Sequence, residues 1–284
     1  MLVFQVQERL GHPCVLMGGQ SVFHWAKRFL AAEPALQELE QEAPFLSKDV
    51  DFQGDRSAAI AFARALDTRA EVPDFRHAFG NLMAGKFSVP VANAQLSVEV
   101  LRKVPGLTQR LVAQLATVEQ FGAVTIRVLN PLGVVMAKAW NVVNIDKEGR
   151  HDFEQLLLAM LCLRAFFRSL FQYSEQEPSA LRPALKLVET ALRFTELPAG
   201  RRTAERCGVD WSQILPHTFI AASAQPAVVR LREKRLPGWL AHLARYRRAV
   251  PATETHRKLL AILARHAEPL SVGSTVPAPR NTSA

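Results

Sequence analysis

The sequence predicts an α/β (α+β) N-terminal domain followed by an α-helical C-terminal domain. Three observations carry that expectation: strand-like runs and helical periodicity alternate as far as residue 129, residues 152–171 are apolar nearly all round, and no later segment shows strand alternation. With 284 residues, 49% of them hydrophobic, the chain can bury one sizeable core or two smaller ones. The expected division is 1–130 for the α/β domain, 131–267 for the helical domain and 268–284 for a disordered tail rich in Ser, Pro and Thr.

A short helix is expected over 2–10, then a Gly11-His12-Pro13 turn and a strand over 14–17. Gly18-Gly19 interrupt that strand and open a helix over 22–30. A helical, acidic stretch at 36–42 leads to a strand carrying Asp49-Val50-Asp51, and apolar residues recur at helical spacing over 57–66. Strands are expected at 75–82, 96–101 and 124–129, after which Asn130-Pro131 reads as an N-cap and first-turn proline for a helix through Val143. The helical half begins at residue 152, with connections at 175–178, 197–200 and 236–238.

Cys14, Cys162 and Cys207 are scattered and odd in number, which excludes a disulfide framework and a C-x-x-C zinc site and fits a reducing cytoplasm. The longest apolar run, 156–163, is too short to cross a bilayer before Arg164 interrupts it, so no membrane partner is expected. The formal charge of +9 is uneven: residues 1–171 hold 18 Lys+Arg and 17 Asp+Glu, leaving 17 and 9 for 172–284. A basic C-terminal surface attracts polyanions through phosphate contacts, or is simply a well-solvated face.

Strands disfavour Asp, yet two occur in 48–52, and the period-2 geometry puts both carboxylates on one face. Like charges held that close repel unless a cation lies between them, and hard carboxylate oxygens suit Mg2+ or Mn2+. The other reading is an edge strand whose acids discourage aggregation. Gly18, Gly19, Gln20 and Ser21 form a strand-to-helix turn whose amides can approach a phosphate, with Ser21 as a cap or a phosphate contact; a plain tight turn is the alternative. Glu99 opposes Leu96, Val98 and Val100 on its strand, and completes a carboxylate cluster if that strand lies beside Asp49 and Asp51.

Lys138 sits on a mainly apolar helix, where it must snorkel or neutralise an anion. Asp152 reads equally as an N-cap closed by Gln155 in a capping box. Between 228 and 258, Arg230, Arg232, Lys234, Arg235, Arg245, Arg247, Arg248, Arg257 and Lys258 interleave with Trp239 and Tyr246. They offer either a base-stacking RNA surface, a face for an acidic partner protein, or an exposed helix pair with Trp239 turned inward.

Together, the Gly-Gly helix start, the later Asp-x-Asp strand and the third strand acid resemble the nucleotidyltransferase superfamily of the DNA polymerase β type. Within it they are most similar to AbiEii-type toxins of abortive-infection and toxin–antitoxin systems. The resemblance spans about residues 12–165. It matches Ser47-Lys48-Asp49-Val50-Asp51 to the family's Ser-x-Asp-x-Asp stretch, Lys138 to a nucleotide-contacting lysine, and Asp152 to an acid opening the next helix. Phe45 stands where such toxins often carry Arg, Glu99 replaces their usual third Asp, and Asn144 replaces a frequent Arg.

The resemblance implies a small mixed sheet and transfer of a nucleoside monophosphate from a nucleoside triphosphate to an RNA or protein hydroxyl, with a transfer RNA end favoured. Asp49, Asp51 and Glu99 would be the metal ligands, Lys138 a catalytic cation, and Gly18, Gly19, Gln20, Ser21, Ser47, Lys138 and Asp152 the nucleotide contacts. A neutralising antitoxin is the implied protein partner. The alternative is a fold of the same kind that binds nucleotide or RNA without turnover.

Overall fold

The computed structural model describes residues 2–42, 49–74, 82–91, 94–145, 151–246 and 253–270. The chain is a mixed α/β protein built on one six-stranded sheet of order β3-β4-β2-β1-β6-β5. Its N-terminal part runs α1 (Leu2–Arg9), β1 (Val15–Met17), α2 (Gly18–Phe29), α3 (Pro34–Glu42), β2 (Asp49–Gln53), α4 (Arg56–Ala65), β3 (Met83–Val91), β4 (Ala94–Leu101), α5 (Gln109–Leu115), β5 (Ala116–Phe121) and β6 (Val124–Leu129). The rest is helical: α6 (Pro131–Asn144), α7 (Asp152–Gln176), α8 (Leu181–Glu196), α9 (Pro198–Cys207), α10 (His217–Ala222), α11 (Pro226–Arg230), α12 (Leu236–Leu243) and α13 (Glu254–Arg265).

Strand β2 pairs antiparallel with β1 and parallel with β4, and β1 pairs parallel with β6. Alternation along these strands divides the sheet into two unlike faces. On one, Leu16, Val50, Phe52, Val98 and Val100 are buried, and Phe52 and Phe87 meet Phe62 of α4 edge-on. The other face carries Asp49, Asp51, Ser97, Glu99 and Lys86, all exposed or half-buried.

The buried residues form one continuous cluster through both the sheet layer and the helices. Trp25 of α2 donates its indole N–H to the Leu129 carbonyl at 2.9 Å and packs on Phe166 of α7, so α2 touches the sheet and the helical half at once. α7, 25 residues long with mean hydropathy 1.4 in its most apolar window, is long and apolar enough to cross a bilayer by those measures, and 67% of that window is buried within the fold. Burial of Arg164, 1% exposed, is compensated by Glu33 at 2.5 Å and by the His266 carbonyl at 3.1 Å.

Several sequence expectations meet a different structure. The segment 236–238 is helical: Pro237 stands in the first turn of α12, and a π-type turn at Leu231–Arg235, directly before it, joins α11 to α12. Gly200 likewise lies inside α9, since Leu197 caps that helix and Pro198 starts it. Strands β3 and β5 and helix α5 were not expected, and the strand expected at 75–82 lies, apart from Leu82, outside the described residues. Nor does the tail begin at Glu268, whose carboxylate accepts from Arg168 at 2.6 Å and from the Thr218 amide at 2.7 Å.

Candidate functional site

Strand β1 ends at Met17 and the chain turns directly into α2, a change of direction that needs Gly18 at φ +67°. A Cβ at position 18 would lie 2.7 Å from Cγ of Asp51, so glycine is also what lets the Asp51 carboxylate rest against the first turn of α2. Register fixes this contact. Met17 pairs with Asp51 across β1–β2, and Asp51 pairs with Glu99 across β2–β4. Asp49 pairs with Ser97 one step along the same face. The expected adjacency of the Glu99 strand to the Asp49–Asp51 strand is therefore present, in parallel orientation.

One partner at this site has no precedent in the sequence reading. Lys86 of β3 pairs with Glu99 in register, and its Nζ lies 2.9 Å from Glu99 Oε1. The hydrogen bond to Glu99 and the charges of Glu99, Asp49 and Glu71 hold the Lys86 ammonium above its ordinary pKa. Among the described residues no three His, Cys, Asp or Glu side chains converge into a ready ligand set. Asp49 and Asp51 fit a magnesium-type ion all the same: they are oxygen donors two residues apart on one face, and such an ion keeps much of its coordination for water and phosphate.

The other residues of the turn divide between two sides. Gly19 and Ser21 are buried, and the Ser21 hydroxyl donates to the Gly18 carbonyl at 2.8 Å, so it does not cap an amide of α2. Gln20 lines an apolar groove with Val50 and Phe121. Met17, Gly18, Ser21, Lys138 and Asn141 line a small cleft of about 30 Å³ that joins the turn to α6. Ser47 and Phe45 lie outside the described residues.

Helix α6 starts where the sequence indicated, with the Asn130 side chain accepting from the Gly133 amide and Pro131 in the first turn. It carries Lys138 to the cleft, and there the ammonium meets Asp152 Oδ1 at 2.9 Å while Asn141 donates to the same oxygen at 3.3 Å. Lys138 thus neutralises an anion rather than snorkelling. Asp152 is not a cap: His151 precedes α7 with no side-chain capping bond, and Asp152 is already the first helical residue. Asn144 donates to the Trp140 carbonyl at the end of α6.

The basic C-terminal segment is partly absorbed by the fold. Arg235 makes a two-pronged pair with Glu196 at 2.8 and 2.9 Å, and Arg232 donates to the Ala221 carbonyl at 2.7 Å. Trp239 is fully buried with its N–H on Thr195 Oγ1 at 2.8 Å, so it offers no face to a base. Tyr246 donates to the Thr195 carbonyl at 2.8 Å. Arg230, Lys234, Arg245, Arg257 and Lys258 remain exposed, while Arg247 and Arg248 lie outside the described residues. No protein-family model matches this chain, and a search of curated proteins finds none similar to it.

Proposed function

We propose that this protein is a metal-dependent nucleotidyltransferase that moves a nucleoside monophosphate from a nucleoside triphosphate to an RNA hydroxyl, a transfer RNA end being the favoured acceptor and a protein hydroxyl the other. The observation that carries this reading is the Asp51 carboxylate lying against Gly18 and in register with Glu99, which brings strand acids to the amides of a helix start. Acids and anion-binding amides side by side are what a metal–triphosphate complex requires.

Bound magnesium or manganese would polarise the phosphoryl group and steady the departing pyrophosphate. Asp49 and Asp51 would hold it, and the amides of Gly18 to Ser21 would orient the triphosphate. Glu99 would accept the proton of the attacking hydroxyl; the new bond joins that oxygen to the α-phosphorus, and the bond to the pyrophosphate oxygen breaks. Lys138, with Asp152 behind it, would face the phosphates across the cleft, and the exposed arginines and lysines of the C-terminal helices would hold the RNA backbone. The resemblance to AbiEii-type toxins makes a neutralising antitoxin a partner to seek in the cytoplasm.

A second reading, nucleotide or RNA binding without turnover, is favoured by the two ion pairs that already engage Glu99 and Lys138. Incubating the protein with labelled nucleoside triphosphates, Mg2+ and total RNA separates the two. Label transfer that disappears in Asp51→Ala supports the enzyme; tight nucleotide binding by calorimetry with no pyrophosphate released supports the binding protein.

A further inference from the structure

Three neighbouring strands set three charged side chains in one row. Lys86 on β3, Glu99 on β4 and Asp51 on β2 pair in register and so share a face of the sheet, and Asp49 lies one step along β2. Glu71, bridged to Lys86 through both backbone hydrogen bonds at 2.7 and 2.8 Å, adds a further carboxylate beside the same ammonium. The Lys86 side chain is 44% exposed and its Nζ lies 2.9 Å from Glu99 Oε1. An ammonium there satisfies one oxygen of Glu99 from β3, the strand on the side of β4 away from β2 and Asp51.

We propose that the Lys86 ammonium, by engaging Glu99 from the side away from Asp51, keeps that carboxylate out of the metal site, so that Asp49 and Asp51 bind one ion and not two. This rests on the metal-dependent reading of the site and makes Lys86 a positioning residue: it holds the Glu99 carboxylate away from the ion through the ion pair. The geometry is local to the sheet face and asks nothing of the helical half.

Manganese titration followed by electron paramagnetic resonance, with Mn2+ alone as the probe, tests it without reference to activity. Lys86→Met, Lys86→Arg and Asp51→Asn are compared with the unaltered chain, and circular dichroism checks that each is folded. The expected result is one Mn2+ per chain in the unaltered protein and in Lys86→Arg, and in Lys86→Met either a second ion or a first ion bound about tenfold more tightly, the size of effect a nearby charge exerts. Lys86→Met identical to the unaltered chain in count and affinity, with binding abolished by Asp51→Asn, overturns the role of Lys86 and leaves the metal site standing. No Mn2+ bound by the unaltered chain or by folded Lys86→Met overturns both readings.

Discussion

Lys138 and Asp152 form a buried ion pair between α6 and the start of α7, 2.9 Å apart with side chains only 7% and 8% exposed. Removing one partner leaves a charge largely shielded from water. Asp152→Ala should cost about 3–5 kcal/mol in urea unfolding, whereas a Lys138→Met, Asp152→Leu double variant should lie close to the original stability. Equal destabilisation by the single and double variants would show that packing, and not charge pairing, matters at this position.

Gly18 and Gly11 both have positive φ, +67° and +73°, but only Gly18 has a side chain where its Cβ would go. Alanine at Gly11 should cost about 1–2 kcal/mol, the backbone penalty alone. Gly18→Ala adds the displacement of the Asp51 carboxylate and should cost more. Chemical denaturation of the two variants gives the comparison, and a Gly18→Ala penalty no larger than that of Gly11→Ala would remove the argument for an enforced Asp51 contact.

His24 is 7% exposed against Trp25 and Phe121, and its Nε2 has no hydrogen-bond partner among the described residues. Burial first, and then the Arg28 guanidinium, push its pKa from 6.5 down to about 4. Because the folded value lies below the unfolded one, the unfolded chain takes up the proton first as pH falls. The stability contributed by neutral His24 is therefore complete above pH 6.5 and is lost as pH drops from 6.5 through about 4. His217, lowered mainly by burial, acts in the same direction. Urea midpoints measured across this window should fall with pH, less steeply in His24→Leu; parallel slopes would exclude His24 as a source.

The central strands were legible because burial on one face imprints alternation: Val50 and Phe52, and Val98 and Val100, sit between residues of the opposite face. That same period put Asp49 and Asp51 on one face and Glu99 opposite its strand's apolar residues, while the pairing of β2 with β4 that brings the three together is not written in it. Both missed strands, β3 and β5, are the sheet's edges: Val118 stands 60% exposed in β5, and β3, though Phe87 and Val89 alternate into the core, carries Pro90, which reads against a strand and is tolerated only at an edge. Missing β3 also hid Lys86, whose importance depends entirely on the strand beside it. Helix α5 had a readable start in Thr108, which accepts from the Leu111 amide, but runs for only one short stretch of seven residues.

Helix positions were read more easily than their partners. Lys138 and Asp152 were both singled out, yet their pairing spans a helix end and a connection, and spacing along the chain does not encode it. Trp239 shows the opposite limit: the sequence left it open between a stacking surface and a ring turned inward, and its full burial with the N–H on the Thr195 hydroxyl decides for the second.

Glu38 of α3 is joined to Arg265 and to His266, the latter at 2.9 Å, across 227 and 228 positions of chain. During synthesis α3 leaves the ribosome early, and these two partners follow only after most of the polypeptide has been made. The first helices must therefore wait with that flank uncovered, exposed to chaperones and proteases, until the last turn of α13 arrives to close it.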